Sequence, residues 1–142
     1  MDRAALDVAN ELNLEYGGFC PKGRLAEDGI TLDTYNLIEL KSSKYSKRTL
    51  ANVKISDGSL IIHKGIVSDG TLKTIEFCQM GYKSVFEINL LEILKQTQVN
   101  FDHWIKENGI YTLNVAGPRE SEEPIYNKVC SILMDILFKY KF

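Results

Sequence analysis

The stretch Leu60-Ile61-Ile62-His63-Lys64-Gly65-Ile66-Val67-Ser68-Asp69-Gly70-Thr71-Leu72-Lys73-Thr74-Ile75-Glu76 joins an apolar run to a small-residue loop and then to a helical pattern. A strand that ends in a flexible turn and feeds a helix directs free backbone N–H groups, and the positive end of the helix dipole, at whatever sits above the turn. That geometry seats an anion. Gly65 and Gly70 permit a tight turn with close backbone approach, while Ser68, Thr71 and Thr74 can add hydroxyl donors. The same residues also read as an ordinary capped strand-to-helix turn, with Ser68 or Asp69 as the N-cap. Leu60–His63 lacks the alternation of a half-buried strand, so a parallel sheet is expected to bury it on both faces.

On either side of this segment, helical and strand patterns alternate. The chain opens on a helix from Asp2 to about Asn13, with the stripe Ala5, Val8, Ala9 and Leu12. A strand over Tyr16–Cys20, a loop over Pro21–Asp33, a strand over Tyr35–Leu40 and a cation-rich helix over Lys44–Ile55 follow. After the central strand, Gly70–Met80 reads as a helix with Leu72, Ile75 and Cys78 inward, then Val85–Leu90 as a strand. Leu91–Asn108 reads as a helix ended by Asn108-Gly109, Tyr111–Val115 as the last strand, and Glu122–Tyr140 as the closing helix. Its stripe of Val129, Ile132, Leu133, Ile136, Leu137 and Tyr140 is the clearest in the chain. The alternation predicts one domain of doubly wound α/β class, a mainly parallel sheet in three α/β/α layers.

Composition narrows the function classes. The 142 residues are 44% hydrophobic and 25% charged, enough for one domain with a real core. A net charge of −2 gives no general attraction to nucleic acid or acidic membranes, so any anion site is local. Cys20, Cys78 and Cys130 are far apart and in no C-x-x-C spacing, which suggests neither disulfides nor zinc and points to a reduced, cytoplasmic setting. The apolar runs are shorter than a membrane span, and Met1-Asp2-Arg3 does not begin a secretory signal.

Open parallel sheets collect ligands outside the carboxyl ends of their strands. Beyond the central strand lie Lys64 and the Gly65–Thr71 turn; beyond the last strand lie Gly117, Arg119 and Glu120. Beyond the strand near Cys20 lie Lys22 and Arg24. Lys22, Arg24, Lys64 and Arg119 can surround a phosphate-sized group if these loops share an edge, with Arg gripping it bidentately; each alone also reads as a solvated loop charge.

Four separated stretches carry a resemblance: Asp2-Arg3-Ala4-Ala5-Leu6-Asp7; Gly17-Gly18-Phe19-Cys20-Pro21-Lys22-Gly23-Arg24 with Ala26-Glu27-Asp28-Gly29; Gly70-Thr71-Leu72-Lys73-Thr74; and Leu113-Asn114-Val115-Ala116-Gly117-Pro118-Arg119-Glu120-Ser121. In this order the chain resembles, over essentially its full length, the putative molybdenum carrier family. That family belongs to a Rossmann-like group shared with the lysine-decarboxylase-like phosphoribohydrolases. The resemblance implies a Rossmann-like fold, homo-oligomeric assembly, and binding of a phosphorylated pterin such as molybdenum cofactor, or a nucleotide-type anion. Family members open with a short strand and a Gly-Gly-Gln-Thr-Gly turn ahead of the Asp-Arg-Ala-Ala-Leu-Asp helix. Met1 falls inside that pattern, so the N-terminal strand and one anion-binding turn are expected to be missing. The second glycine turn of the family reads Ser-Gly-Gly-Thr, against Ser68-Asp69-Gly70-Thr71 here. A carboxylate at that point repels a phosphate unless it turns away or caps the helix.

Catalysis is the competing class. The phosphoribohydrolase relatives carry Gly-Thr-x-x-Glu, and Thr74 stands at the position of that Glu, while Glu76 faces elsewhere on the helix. His63, at a strand end near the turn, reads as a candidate base or as a hydrogen-bonded structural residue; His103 reads as surface or packing. An interaction domain without ligand is the third reading.

Overall fold

The structure is a computed structural model that describes residues 2–20, 22–26, 29–30, 37–65, 67–92, 95–118 and 124–140. Its elements in chain order are α1 (Asp2–Glu11), β1 (Phe19–Cys20), a 3-10 turn (Lys22–Arg24), β2 (Leu25–Ala26), β3 (Gly29–Ile30), β4 (Ile38–Glu39), α2 (Tyr45–Ile55) and β5 (Gly58–His63). Then come α3 (Asp69–Met80), β6 (Ser84–Asn89), α4 (Thr97–Glu107), β7 (Leu113–Ala116) and α5 (Tyr126–Leu137).

β5 lies at the centre of a three-stranded parallel sheet ordered β6-β5-β7, with His63 opposite Asn89 and Ile61 opposite Ala116. All six of its residues are buried, as a strand covered on both faces requires. Side chains alternate across a sheet, so Leu60, Ile62, Phe86 and Ile88 share one face and Ser59, Ile61 and His63 the other. The first face carries α1, α4 and α5 in one apolar core with Ala4, Val8, Phe101, Trp104, Val129 and Leu133. Phe86 meets Phe101 and Trp104 with ring centroids 5.6 and 5.5 Å apart. The second face is more polar. There Cys78 on α3 donates to Ser59 Oγ at 3.3 Å, Asn114 Nδ2 donates to the same oxygen at 3.0 Å, and α2 packs on α3. The fold is therefore the expected Rossmann-like α/β arrangement, a parallel sheet between two helical layers. No helix among the described residues is long and apolar enough to cross a membrane.

Several local expectations give way to tertiary detail. Among the described residues the parallel strands form two sheets, because β1 and β4 pair only with each other. On the far side of β1, the side chain of Asn52 occupies the place a further strand would take. The Pro21–Asp33 loop contains the 3-10 turn and a short antiparallel pair, β2 with β3. The helix expected from Leu91 begins at Thr97. Asn89 holds a turn before it, its Oδ1 accepting from Leu91 N at 3.0 Å and its carbonyl from Glu92 N at 3.0 Å. The last strand starts at Leu113, since Asp57 Oδ2 accepts from the amides of both Tyr111 and Thr112 at 2.9 Å. On α3 the buried residues are Thr71, Thr74 and Cys78, whereas Leu72 is 46% exposed. The small polar face of the sheet selects small side chains from the helix above it: of the expected stripe Cys78 is buried and Ile75 half-buried, while Thr71 and Thr74 take the place expected for Leu72. The expected stripe of α5 does reach the core through Val129, Leu133, Ile136 and Leu137.

Candidate functional site

Three parallel strands end on one edge, so the residues after them converge: Lys64 and Gly65 after β5, Leu90 and Leu91 after β6, Gly117 and Pro118 after β7. Gly65 has a φ of +87°, the left-handed conformation that glycine tolerates, and a Cβ there would lie 3.0 Å from Leu91 Cδ1. Its amide donates to His63 Nδ1 at 3.2 Å. Gly65 therefore shapes the turn, and its N–H is engaged by His63.

The free donors lie one step further on. Ser68 is the N-cap of α3: its Oγ accepts from Thr71 N at 3.4 Å and shares a hydrogen bond with Thr71 Oγ1 at 3.1 Å. Its carbonyl accepts from Leu72 N at 2.8 Å. The amides of Asp69 and Gly70 make no hydrogen bond to another described residue. Gly70 is exposed, and a Cβ on it would meet no atom of a described residue outside its own helix turn within 4 Å. Two N–H groups without a partner among the described residues thus stand at the positive end of a 12-residue helix. Thr71 and Thr74 are buried, and Thr74 Oγ1 donates to the Gly70 carbonyl at 3.4 Å, so both hydroxyls serve the helix. Asp69 is exposed in the first turn, beside the free amides.

The other expected residues are distributed around this centre. Lys64 is exposed at the start of the turn, and Gly117 is half-buried directly after β7. Arg119 and Glu120 lie outside the described residues. Lys22 and Arg24 belong to the smaller β1–β4 pair: Lys22 is exposed, and Arg24 Nη1 donates to the Leu37 carbonyl at 3.4 Å. The structure thus gathers Lys64, Gly65, Ser68, Gly70, Thr71 and Gly117 at one edge, and it ties Arg24 to the approach to β4.

Reasoning from sequence missed a cavity of about 330 Å³ at the carboxyl end of β6, lined by His63, Phe86, Glu87, Asn89, Glu92 and Asn100 among others. The available signal was the polar run Glu87, Asn89 and Glu92 at the end of a strand. His63 links this cavity to the turn. Its side chain is 8% exposed, with Nε2 3.5 Å from Glu87 Oε2.

Other chemically capable groups face elsewhere. Glu76 is exposed and 3.5 Å from Lys73, and the exposed His103 pairs with Glu107 at 3.0 Å. Burial pushes the Cys78 thiol above its ordinary range, against the hydrogen bond to Ser59 and the charge of Lys83. Burial also leads the upward shift at Cys130. Neither is an activated thiolate. Among the described residues no group of three or more His, Cys, Asp or Glu side chains is arranged to hold a metal ion.

Comparison with known proteins adds family context. The model of the circularly permutated YpsA SLOG family matches residues 1–137. The crystal structure of a putative molybdenum carrier protein from Syntrophus aciditrophicus SB superposes with a TM-score of 0.91 at 40% identity, covering 98% of this chain and 88% of that chain. No curated protein matches the sequence.

Proposed function

The chain belongs to the circularly permutated YpsA SLOG family, and from that premise we propose that it binds a small phosphorylated ligand at the turn between β5 and α3. The ligand class is a phosphorylated pterin of the molybdenum cofactor type or a nucleotide, carried rather than transformed. One observation bears most of the weight: the amides of Asp69 and Gly70, exposed residues at the capped start of α3, have no partner among the described residues and stand on the ligand-collecting edge of the sheet. The name of the Syntrophus protein, putative molybdenum carrier protein, supports the pterin member of this class. In such a complex the phosphate would meet the two amides, with Lys64 and Gly117 at the rim.

A carrier is preferred to a hydrolase for a structural reason. Thr74 is buried and bonded to the Gly70 carbonyl, and Glu76 sits on the exposed side of α3 with Lys73. Neither offers a general acid or base at the turn.

The test is a titration of 15N-labelled protein with inorganic phosphate, followed in proton–nitrogen correlation spectra. Saturable shifts centred on the amides of Asp69 and Gly70 are expected. Shifts confined to other residues, or none at all, would refute the assignment. Mass spectrometry and elemental analysis of the freshly purified protein then identify the physiological ligand and any molybdenum.

A further inference from the structure

Charge is unevenly spread along the chain. Residues 40–56 hold five of its 17 Lys and Arg, namely Lys41, Lys44, Lys47, Arg48 and Lys54, and none of its 19 Asp and Glu. The rest of the chain is left with 12 cations against 19 carboxylates. Most of the basic run falls on α2. Successive helix residues turn by about 100°, so Lys44, Lys47, Ala51, Lys54 and Ile55 share one face, opposite the buried Val53. The three Lys residues are exposed, and none has an ion-pair partner among the described residues. Together they form a stripe about 15 Å long.

Two features of this region cost stability. The helix starts with cations at its positive end: Lys44 is the N-cap without a side-chain capping bond and no acid stands in the first turn, whereas α3 starts with Ser68 and Asp69. At the other end of α2, Lys83 Nζ donates to the carbonyls of Val53, Lys54 and Ser56, which brings the neighbouring Tyr82 beside the end of the helix and Ile55. Tyr82 closes α3 at a φ of +55°, the left-handed position usually given to Gly. Its N–H donates to the Gln79 carbonyl at 3.3 Å and the Lys83 N–H to the Cys78 carbonyl at 2.8 Å. The Tyr82 side chain is left in solvent, with the residue 99% exposed, and Ile55 is 52% exposed.

We infer that this face of α2, with Ile55 and Tyr82 at its end, docks an acidic helix of a partner protein. The partner carries Glu or Asp at the spacing of Lys44, Lys47 and Lys54, and an apolar residue that covers Ile55 and Tyr82. Charge complementarity fixes the sign of the partner, and the extent of the stripe fixes its kind. A membrane surface or a nucleic acid strand stays negative far beyond a stripe of about 15 Å and meets the acidic remainder of the chain as well. A short helix matches the stripe and ends with it. The exposed Tyr82 supplies the aromatic anchor that protein interfaces favour, which gives its strained backbone a use. Exposed ion pairs are individually weak and screened by salt, so the contact is modest in affinity and salt-sensitive.

The probe is a fluorescein-labelled, alanine-based helical peptide with Glu at i, i+3, i+7 and i+10, a spacing that reads the same in both directions, and Leu at each end. Fluorescence anisotropy at low salt is expected to show binding to the wild type. Affinity should fall at least about tenfold in Lys44→Gln/Lys47→Gln/Lys54→Gln, the sum of three exposed pairs. Tyr82→Gly should also weaken binding while melting at the same temperature as the wild type or higher, a combination that a structural role for Tyr82 does not produce. In 15N-labelled wild type the peptide should shift amides of α2 and Tyr82, a readout that needs no variant to fold. Absence of binding, shifts away from α2, or full affinity in the triple variant overturns the inference. Tighter binding at α2 of an oligothymidylate of equal charge, or of vesicles containing phosphatidylserine, overturns it in favour of a nucleic acid or a membrane. A lower melting temperature in Tyr82→Gly removes Tyr82 from the docking surface.

Discussion

The carboxamide of Asn52 on α2 closes both backbone groups of Phe19 on β1. Its Oδ1 accepts the Phe19 N–H at 2.8 Å, and its Nδ2 donates to the Phe19 carbonyl at 3.4 Å. A side-chain amide here imitates the peptide group of a neighbouring strand. It satisfies an edge that would otherwise stand open, and it fastens α2 to the smaller sheet. The contact also explains Gly18. Its φ is +126°, and a Cβ there would lie 2.8 Å from Asn52 Oδ1.

Replacing Asn52 with Ala should therefore cost about 1–3 kcal/mol, because two backbone groups lose their partner while only part of the site opens to water. Gly18→Ala should cost a comparable amount through strain at positive φ and displacement of the amide. Urea midpoints of the two single variants and the double variant check this. Strictly additive losses would show that Gly18 and Asn52 do not act on the same contact.

At the start of α3, the exposed Asp69 lies beside the free amides assigned to the anion. Asp69→Asn removes a like charge from that position and should strengthen inorganic phosphate binding by roughly two- to fivefold, the scale of one charge at a helix terminus. The same change should lower stability by about 0.3–1 kcal/mol, since the carboxylate favours the positive end of the helix. Calorimetry and urea unfolding on one preparation test the trade-off. Unaltered phosphate affinity would place the anion away from Asp69.

Gly58 permits close packing at the first residue of β5. A Cβ there would stand 2.7 Å from Ile110 Cδ1 and 3.0 Å from Trp104 Cζ2. Trp104 cannot readily give way, because its Nε1 donates to Ser84 Oγ at 2.7 Å and its ring packs on Phe86 and Phe101. Gly58→Ala is expected to cost about 1–3 kcal/mol, the usual penalty of overpacking a core. Differential scanning calorimetry showing an unchanged midpoint would mean that Ile110 repacks freely.

Asp102 ties α4 to the segment that follows α5. Burial raises its pKa, but hydrogen bonds from Lys139, Tyr140 and Gln98, with the charge of Lys139, outweigh that and hold it below the ordinary value of 3.8. A carboxyl with a depressed folded pKa stabilises the native state at any pH above its unfolded value, and that contribution disappears as the pH falls through the folded value. The wild type should thus lose more stability than Asp102→Asn between pH 5 and the acid limit. Above pH 5 the variant should be uniformly weaker, because Lys139 loses its ionic partner. Parallel slopes of stability against pH in the two proteins would contradict this.

The segment from Leu60 to Glu76 was legible because its information is local. An apolar run without alternation, a small-residue turn and a Ser N-cap each act over a few residues, and together they define β5, the turn and α3. The stripe of α5 was legible for the same reason: helical periodicity alone brings Val129, Leu133 and Ile136 onto one face. The inward face of α3 was legible only at Cys78. Apolar content also favours Leu72 and Ile75, but the partner surface at Ser59 and Asn114 is small and polar and takes Thr71 and Thr74 beside Cys78. The late start of α4 depends on Asn89 bonding the amides of Leu91 and Glu92, a competition between turn and helix that periodicity does not register. The cavity was further from reach still. His63, Glu87 and Asn100 come from two strands and a helix, and only the parallel register of β5 with β6, with α4 packed across the edge, makes them neighbours. Short-range patterns specify elements because backbone hydrogen bonds and side-chain periodicity act along the chain, whereas a binding site is made of distances between elements, and those depend on how their faces fit.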